Sequence, residues 1–263
     1  MIYYHYGNLK DGTITESGSS GSPTIDAQYP VTNINYLNKN LSTQFTVNGA
    51  GIQQQDIIID MGAAVTASSI AIDYSANVSS SAANLVRVSR SSDNSSYTTI
   101  KTFKSGSGTH VYDGVDTFTF TEITYRYYKL EIQAESATTA DYVIRNLYIG
   151  DYIELPSPAF VPYGFTHKVK SSEAFGGSQF GIDTQGQRKT WAFKYGGLDN
   201  DDKTNIESFD LVNKGGSVPC YIESLEGSTQ IIDPHFARVY GGETLQQIAY
   251  RVYEMTNNIE EEL

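Results

Sequence analysis

One cysteine, one tryptophan, three methionines and seven prolines are all that these 263 residues hold of those types. A single thiol, Cys220, excludes an intrachain disulfide and a cysteine-based zinc cluster. Its neighbours, Val218-Pro219 and Tyr221-Ile222, point to a small buried apolar role rather than reactivity. Cations are scarce too: 18 Lys and Arg face 30 Asp and Glu, a formal net charge of −12. Duplex binding rests on cations that neutralise phosphates, so no nucleic-acid partner is expected. Residues 1–150 carry 9 basic and 13 acidic side chains, and 151–263 carry 9 and 17. Such an imbalance favours solubility and repulsion between unassembled copies. No apolar run of 18 residues exists, and Met1–Gly7 has neither the basic nor the apolar region of a secretory leader. Folding in a cytoplasm without membrane insertion is the expectation.

What the chain does have is β chemistry. Tyr 20 and Phe 11 suit strands, and Gly 23 with abundant Ser, Thr and Asn supplies turns. The fold class is therefore mainly β. Residues 1–28, with Ser17-Gly18-Ser19-Ser20-Gly21-Ser22-Pro23, bury little apolar surface and are expected as an irregular N-terminal arm. From 29 to 150 the pattern is of seven or eight short strands. Ile57-Ile58-Ile59 reads as a central strand covered on both faces. Ile70, Ile72 and Tyr74 share one face of an alternating strand, and Val86 and Val88 share one face of another. Strands are also expected at 97–103, 116–120, 125–132 and 142–150.

Asp151, Glu154, Pro156, Pro158 and Pro162 mark a boundary. A second β-rich domain with one short helix is expected over 151–263. In it Trp191, Phe193 and Tyr195 line one strand face, a core stripe or else a sugar-stacking platform. Asp199-Asn200-Asp201-Asp202 offers helix N-capping, Ile206, Phe209 and Val212 recur at helical spacing, and Gly215-Gly216 can end the helix. Val218–Ile222 and Gln230–Asp233 are further strand candidates. Thr256–Leu263, closing on Glu260-Glu261-Glu262, is expected to be a frayed tail or a contact.

Four fragments of the first domain, in order, resemble the discoidin (galactose-binding-like) superfamily. They are Tyr29-Pro30-Val31-Thr32-Asn33-Ile34 leading to Ser42-Thr43-Gln44-Phe45; Ile57–Gly62; Ser91-Ser92-Asp93-Asn94-Ser95-Ser96-Tyr97; and Tyr125-Arg126-Tyr127-Tyr128-Lys129-Leu130. Met61 stands where the family has Leu, Asn94 where it has Gly, and Tyr97 where it commonly has Trp. The family's flanking cysteines are missing. The resemblance implies a jelly-roll β-sandwich that binds ligands through loops, and Tyr36 and Phe45 stand near where such loops begin. Residues 155–240, through Gln187–Tyr195, the acidic-capped helix, Val218–Ile222 and Asp233-Pro234, resemble the β-rich domain of tailed-phage distal-tail and minor-tail proteins. That second resemblance implies a virion tail or baseplate component, a self-associating ring in contact with other tail proteins. A carbohydrate-binding adhesin that recognises a host glycan is the alternative, and a glycan-processing enzyme is a third possibility.

Little points to chemistry. His5, His110, His167 and His235 fall in separate segments without HExxH spacing. Asp199–Asp202 is acidic enough for calcium, yet an EF-hand's Gly and Glu places hold Thr204 and Asp210. Gly176-Gly177, Gly196-Gly197 and Gly241-Gly242 lack the residues of a phosphate loop and read as turns. No Gly-x-Ser-x-Gly elbow occurs. Carboxylate pairs for glycoside cleavage are a three-dimensional question. No catalytic, cofactor-binding or metal-ligating residue is assigned, and binding rather than turnover is expected.

Overall fold

A computed structural model describes residues 1–7, 12–20, 24–35, 42–47, 52–78, 84–106, 110–135, 140–156, 158, 163–173, 179–214, 216–226, 229–240 and 245–261. Most of them are antiparallel strand. Contacts divide the chain into a unit of His5–Tyr152 and a unit of Met1–Tyr4 with Ile153–Leu263.

The N-terminal unit contains strands β2 (Thr13–Ser20), β3 (Thr24–Ile25), β4 (Thr43–Val47), β5 (Ile52–Val78), β6 (Asn84–Ser91), β7 (Thr98–Gly106) and β8 (His110–Glu135), with the second part of β1 (Ile2–Gly7) and most of β9 (Ala140–Leu155). A 3-10 turn spans Val31–Asn35. β5 and β8 are far longer than the short strands expected, because each runs through a bend and serves two sheets. Before the bend β5 pairs with β2 and with the second half of β8, which continues to β6 and β7. After the bend β5 pairs with the first half of β8 and with β9, which continues to β4 and β3. Ile57, Ile59, Val86, Val88, Leu130 and Ile132 from the first sheet pack with Ile70, Ile72, Tyr74, Ile144, Leu147 and Ile149 from the second in one buried cluster. The result is a jelly-roll-like sandwich.

The bend itself has a local cause. Gly62 takes φ +76°, which a residue with a side chain adopts at a cost, and its N–H donates to Asp60 Oδ1 at 2.8 Å. The β5–β8 register slips there, between Asp60 and Val65.

Two sequence expectations change in this unit. Thr13–Ser20 is a strand with register against Gln54–Asp60, not an irregular arm. Its alternating Thr, Ile and Ser suffice because the partner strand supplies the hydrogen bonds. Ile57–Ile59 is covered on one face only, since Ile58 is half-buried on the polar side. The run buried on both faces is Ala67–Tyr74.

The C-terminal unit holds β10 (Tyr163–Glu173), β11 (Gln179–Leu198), helix α1 (Asn200–Asn213), β12 (Cys220–Glu226), β13 (Thr229–Tyr240), β14 (Gln246–Ala249) and β15 (Val252–Glu261). The strand order is β10-β11-β15-β13-β12, with β14 hairpinned onto β15. The tail expected to fray is thus the central strand: Glu260 lies opposite Thr190 of β11 and Arg238 of β13. Polar Glu and Asn misled the sequence reading, because their partners lie on strands distant in sequence.

The α1 cap follows expectation. Asp199 Oδ1 accepts from the N–H groups of Asp201 and Asp202, and Asp202 Oδ2 accepts from Asp199 N–H, a complete capping box. The buried residues are Ile206, Phe209 and Asn213, while Val212 is exposed, so the inward face continues on Asn213 rather than Val212. Lys214, not a glycine, ends the helix in the left-handed conformation at φ 51°. Gly216 follows at φ +86°, where a Cβ would come within 2.7 Å of the Tyr240 ring. Among the described residues no helix is long and apolar enough to cross a membrane.

Candidate functional site

Directly opposed residues of an antiparallel pair share a face. Asp56 and Arg87 both lie opposite Glu131, Ile58 and Ser89 opposite Lys129, and Asp60 and Ser91 opposite Tyr127. The residues between them, Ile57, Ile59, Val88, Tyr128 and Leu130, fill the core. Three strands therefore present one outer face of acids, bases and a tyrosine.

These charges are tied together. Lys129 Nζ lies 3.0 Å from Asp56 Oδ2 and 3.3 Å from Glu131 Oε2, and Arg87 pairs with the other Glu131 oxygen. Glu131 and Asp56 are both buried, so removing either would leave a cation short of its partner. Next to them Arg126 donates to both carboxylate oxygens of Asp60, at 2.7 and 2.8 Å, in the two-pronged geometry that fixes orientation. That guanidinium, helped by Gly62 N–H, holds the Asp60 carboxyl below the usual carboxylate range.

A turn then lays an aromatic ring on the face. Asp93 Oδ1 accepts from Ser95 N–H and Ser96 N–H, both at 3.0 Å, and from the Ser91 hydroxyl at 2.8 Å. Those donors push the Asp93 carboxyl far down. Asn94 sits at φ 59°, which explains why Asn stands where the resembling family has Gly. The turn delivers Tyr97, whose ring centre lies 4.7 Å from Lys129 Nζ and whose hydroxyl donates to Asn94. Burial, then the negative charge of Asp56 and its neighbours, raises the Tyr97 hydroxyl. Tyr127 carries the Arg126 guanidinium 4.9 Å from its ring centre.

Three of the four family-like fragments therefore meet on one face: Asp60 of the second, Tyr97 of the third, and Arg126, Tyr127 and Lys129 of the fourth. The first explains itself elsewhere. Asn33 donates to Ser42 C=O at 2.9 Å and Thr43 to Pro30 C=O at 3.0 Å, joining its two halves.

Two further clusters lie on this unit. At one flank Lys101 lies 4.4 Å from the centre of the Phe118 ring, Phe118 stacks on Phe120 at 5.9 Å, and Lys104 lies 4.3 Å from the centre of Tyr112. On the second sheet Arg145 donates to Asp73 at 2.7 Å and to Asp113 at 2.5 Å.

The residues singled out in the sequence fall apart. Trp191, Phe193 and Tyr195 are buried, so they form a core stripe and no sugar platform. His5 is buried with Nδ1 2.6 Å from the Ser69 hydroxyl, and His235 lies 3.1 Å from Glu261 and against Trp191. Cys220 is buried, and desolvation pushes its thiol well up. Asp199–Asp202 is occupied in capping, and among the described residues no three His, Cys, Asp or Glu are placed to hold a metal. Gly197, at φ +75°, sits where the register of β11 slips against β15. Tyr36, the side chains of Phe45, His110 and His167, and Gly176-Gly177 and Gly241-Gly242 lie outside what is described. The face that does assemble was missed because its partners are some 30 to 75 residues apart in sequence. Arg87 and Ser89 opposing Val86 and Val88 were its one local signal.

No family model matches the chain, and no curated protein matches it. Solved structures similar to it include the family 32 carbohydrate-binding module of NanJ from C. perfringens in complex with galactose, at 19% identity over 58% of this chain and 100% of that one, TM-score 0.40. Chitosan-binding module 1 of a chitosanase/glucanase from Paenibacillus sp. IK-5 is 20% identical over 55% and 98%, TM-score 0.38. A family 32 module of a family 31 glycoside hydrolase from Clostridium perfringens is 18% identical over 52% and 93%, TM-score 0.38.

Proposed function

We propose that the chain binds glycans without transforming them, and that the outer face of the N-terminal sheet is the binding surface. The observation that carries this reading is the convergence of Tyr97, Tyr127, Arg126, Asp60, Lys129, Asp56 and Arg87 on that one face. A sugar offers paired hydroxyls that both donate and accept, and patches of C–H that lie well on aromatic rings. Fixed carboxylates and guanidinium groups meet the first, and tyrosine rings meet the second. Strands hold these groups in place before the ligand arrives, which lowers the ordering cost of binding. The titrations fit binding better than turnover: Tyr97 is pushed up and Asp60 and Asp93 down, away from the neutral range that proton transfer exploits. A chain of net charge −12 favours neutral or cationic glycans over polyanionic ones.

The test is a broad glycan array with the full chain, then calorimetry on any ligand found. Tyr97→Ala and Arg126→Ala should each weaken binding about tenfold or more, equivalent to about 1.4 kcal/mol. A flat array, or a ligand whose affinity ignores both substitutions, removes this face from consideration.

A second reading, assembly as a tailed-phage structural component, draws on a different unit. Leu211 and Val212 of α1, and Ile248 and Tyr250 of the β14–β15 hairpin, are large apolar side chains left exposed. Such residues suit contacts between subunits. Sedimentation of the purified chain decides: a closed ring supports assembly, and a monomer at all concentrations opposes it.

A further inference from the structure

The C-terminal unit contains a cavity of about 10 Å³ lined by Ile153, Leu155, Ile206, Phe209, Val239, Asp210, Asn213 and Asn257. Asn213 is 3% and Asn257 4% exposed. Each amide nitrogen is used: Asn213 Nδ2 donates to Val239 C=O at 3.1 Å, and Asn257 Nδ2 to the Tyr4 hydroxyl at 3.4 Å. Each amide oxygen is not, for neither Oδ1 has a donor among the described residues. Leaving two buried carbonyl oxygens without donors is costly, because each has given up its hydrogen bonds to water.

We propose that this cavity is a binding site for one structural water, which donates one O–H to Asn213 Oδ1 and the other to Asn257 Oδ1. The count fits, since two acceptors need two donors and a water molecule has two. The size fits, since about 10 Å³ is room for one water centre. A hydrated cation fits poorly. Calcium takes about six to eight oxygens, and most of the lining here is aliphatic or aromatic. The water would join the last residue of α1 to the central strand β15. That joint matters because α1 buries only Ile206 and Phe209 as apolar anchors. Its docking on the sheet then depends on polar pins at its C-terminal end.

The site is independent of any ligand on the N-terminal unit. It is tested on the unmodified chain by NMR, through magnetisation transfer from long-lived water to the side-chain amide protons of Asn213 and Asn257. Transfer to both, together with a water within hydrogen-bond distance of both oxygens in a high-resolution crystal structure, is the expected result. Asn257→Leu should abolish the transfer to Asn213 and speed hydrogen exchange in the last turn of α1. No transfer in the unmodified chain, or amides rotated so that each Oδ1 meets a protein donor, overturns the proposal. Should Asn257→Leu fail to fold, the measurements on the unmodified chain still decide.

Discussion

The two units bury different side chains. The N-terminal sandwich has a mainly aliphatic cluster of Ile57, Ile59, Ile70, Ile72, Leu130 and Ile144, joined by Tyr74, Tyr128 and Tyr142, and it buries Asp56, Asp73 and Glu131 in ion pairs. The C-terminal unit packs aromatic rings, Phe193, Tyr195, Tyr221 and Phe236, and takes polar groups inside with them. There the Tyr4 and Tyr195 hydroxyls meet at 2.6 Å, Asn257 reaches Tyr4, and Asn213 reaches β13. The same unit leaves Leu211, Ile248 and Tyr250 in solvent. In the first unit buried carboxylates are held by cations, whereas in the second tyrosine hydroxyls and an asparagine amide bond to one another among the rings. Satisfied buried polar groups of either kind specify one packing.

That contrast can be broken by substitution. Ile72→Ala, in the fully buried cluster, should cost the N-terminal unit about 2–5 kcal/mol in denaturant unfolding, because the surrounding side chains close the cavity only in part. A loss under 1 kcal/mol would mean that this core is loosely packed. Glu131→Ala should cost about 2 kcal/mol by stranding Arg87, while Lys129 keeps Asp56. An unchanged midpoint would show that the outer charges are decoration. In the other unit Asp199→Ala removes the two cap bonds its side chain accepts, leaving the Asp199 N–H on Asp202, and should cost about 1 kcal/mol, read as faster hydrogen exchange in the first turn of α1.

The smallest effect is in the pH profile. Burial by itself would raise the Glu261 carboxyl, but His235 and the N–H of Lys189 together hold it below the usual range. A depressed carboxyl contributes stability above the ordinary glutamate range and loses it as pH falls through the lower folded value. Glu261→Gln should therefore flatten the acid limb of C-terminal unfolding by under about 1 kcal/mol. A variant whose acid limb matches the parent's would place the pH dependence elsewhere.

Much of the fold was legible because it is written at short range. Alternation gave the faces of Ile70–Tyr74 and Val86–Arg90, and Asp199 to Asp202 gave the cap of α1. Thr13–Ser20 and Thr256–Glu261 were misread because neither has the apolar alternation of a half-buried strand. Each is a strand because a neighbour from elsewhere in the chain completes its hydrogen bonds. The same reason hid the outer face, where Arg126 finds Asp60 66 residues away.

By itself, then, the sequence determined a mainly β chain, its turns, one capped helix, and the burial of its single thiol. Those follow from backbone preference and side-chain alternation, which act over a few residues. Tertiary structure alone decided that β5 and β8 bend to serve two sheets, that the acidic C-terminal segment is a central strand, and which charges share a face. These depend on register between distant strands, where a shift of one residue would turn every side chain to the other side.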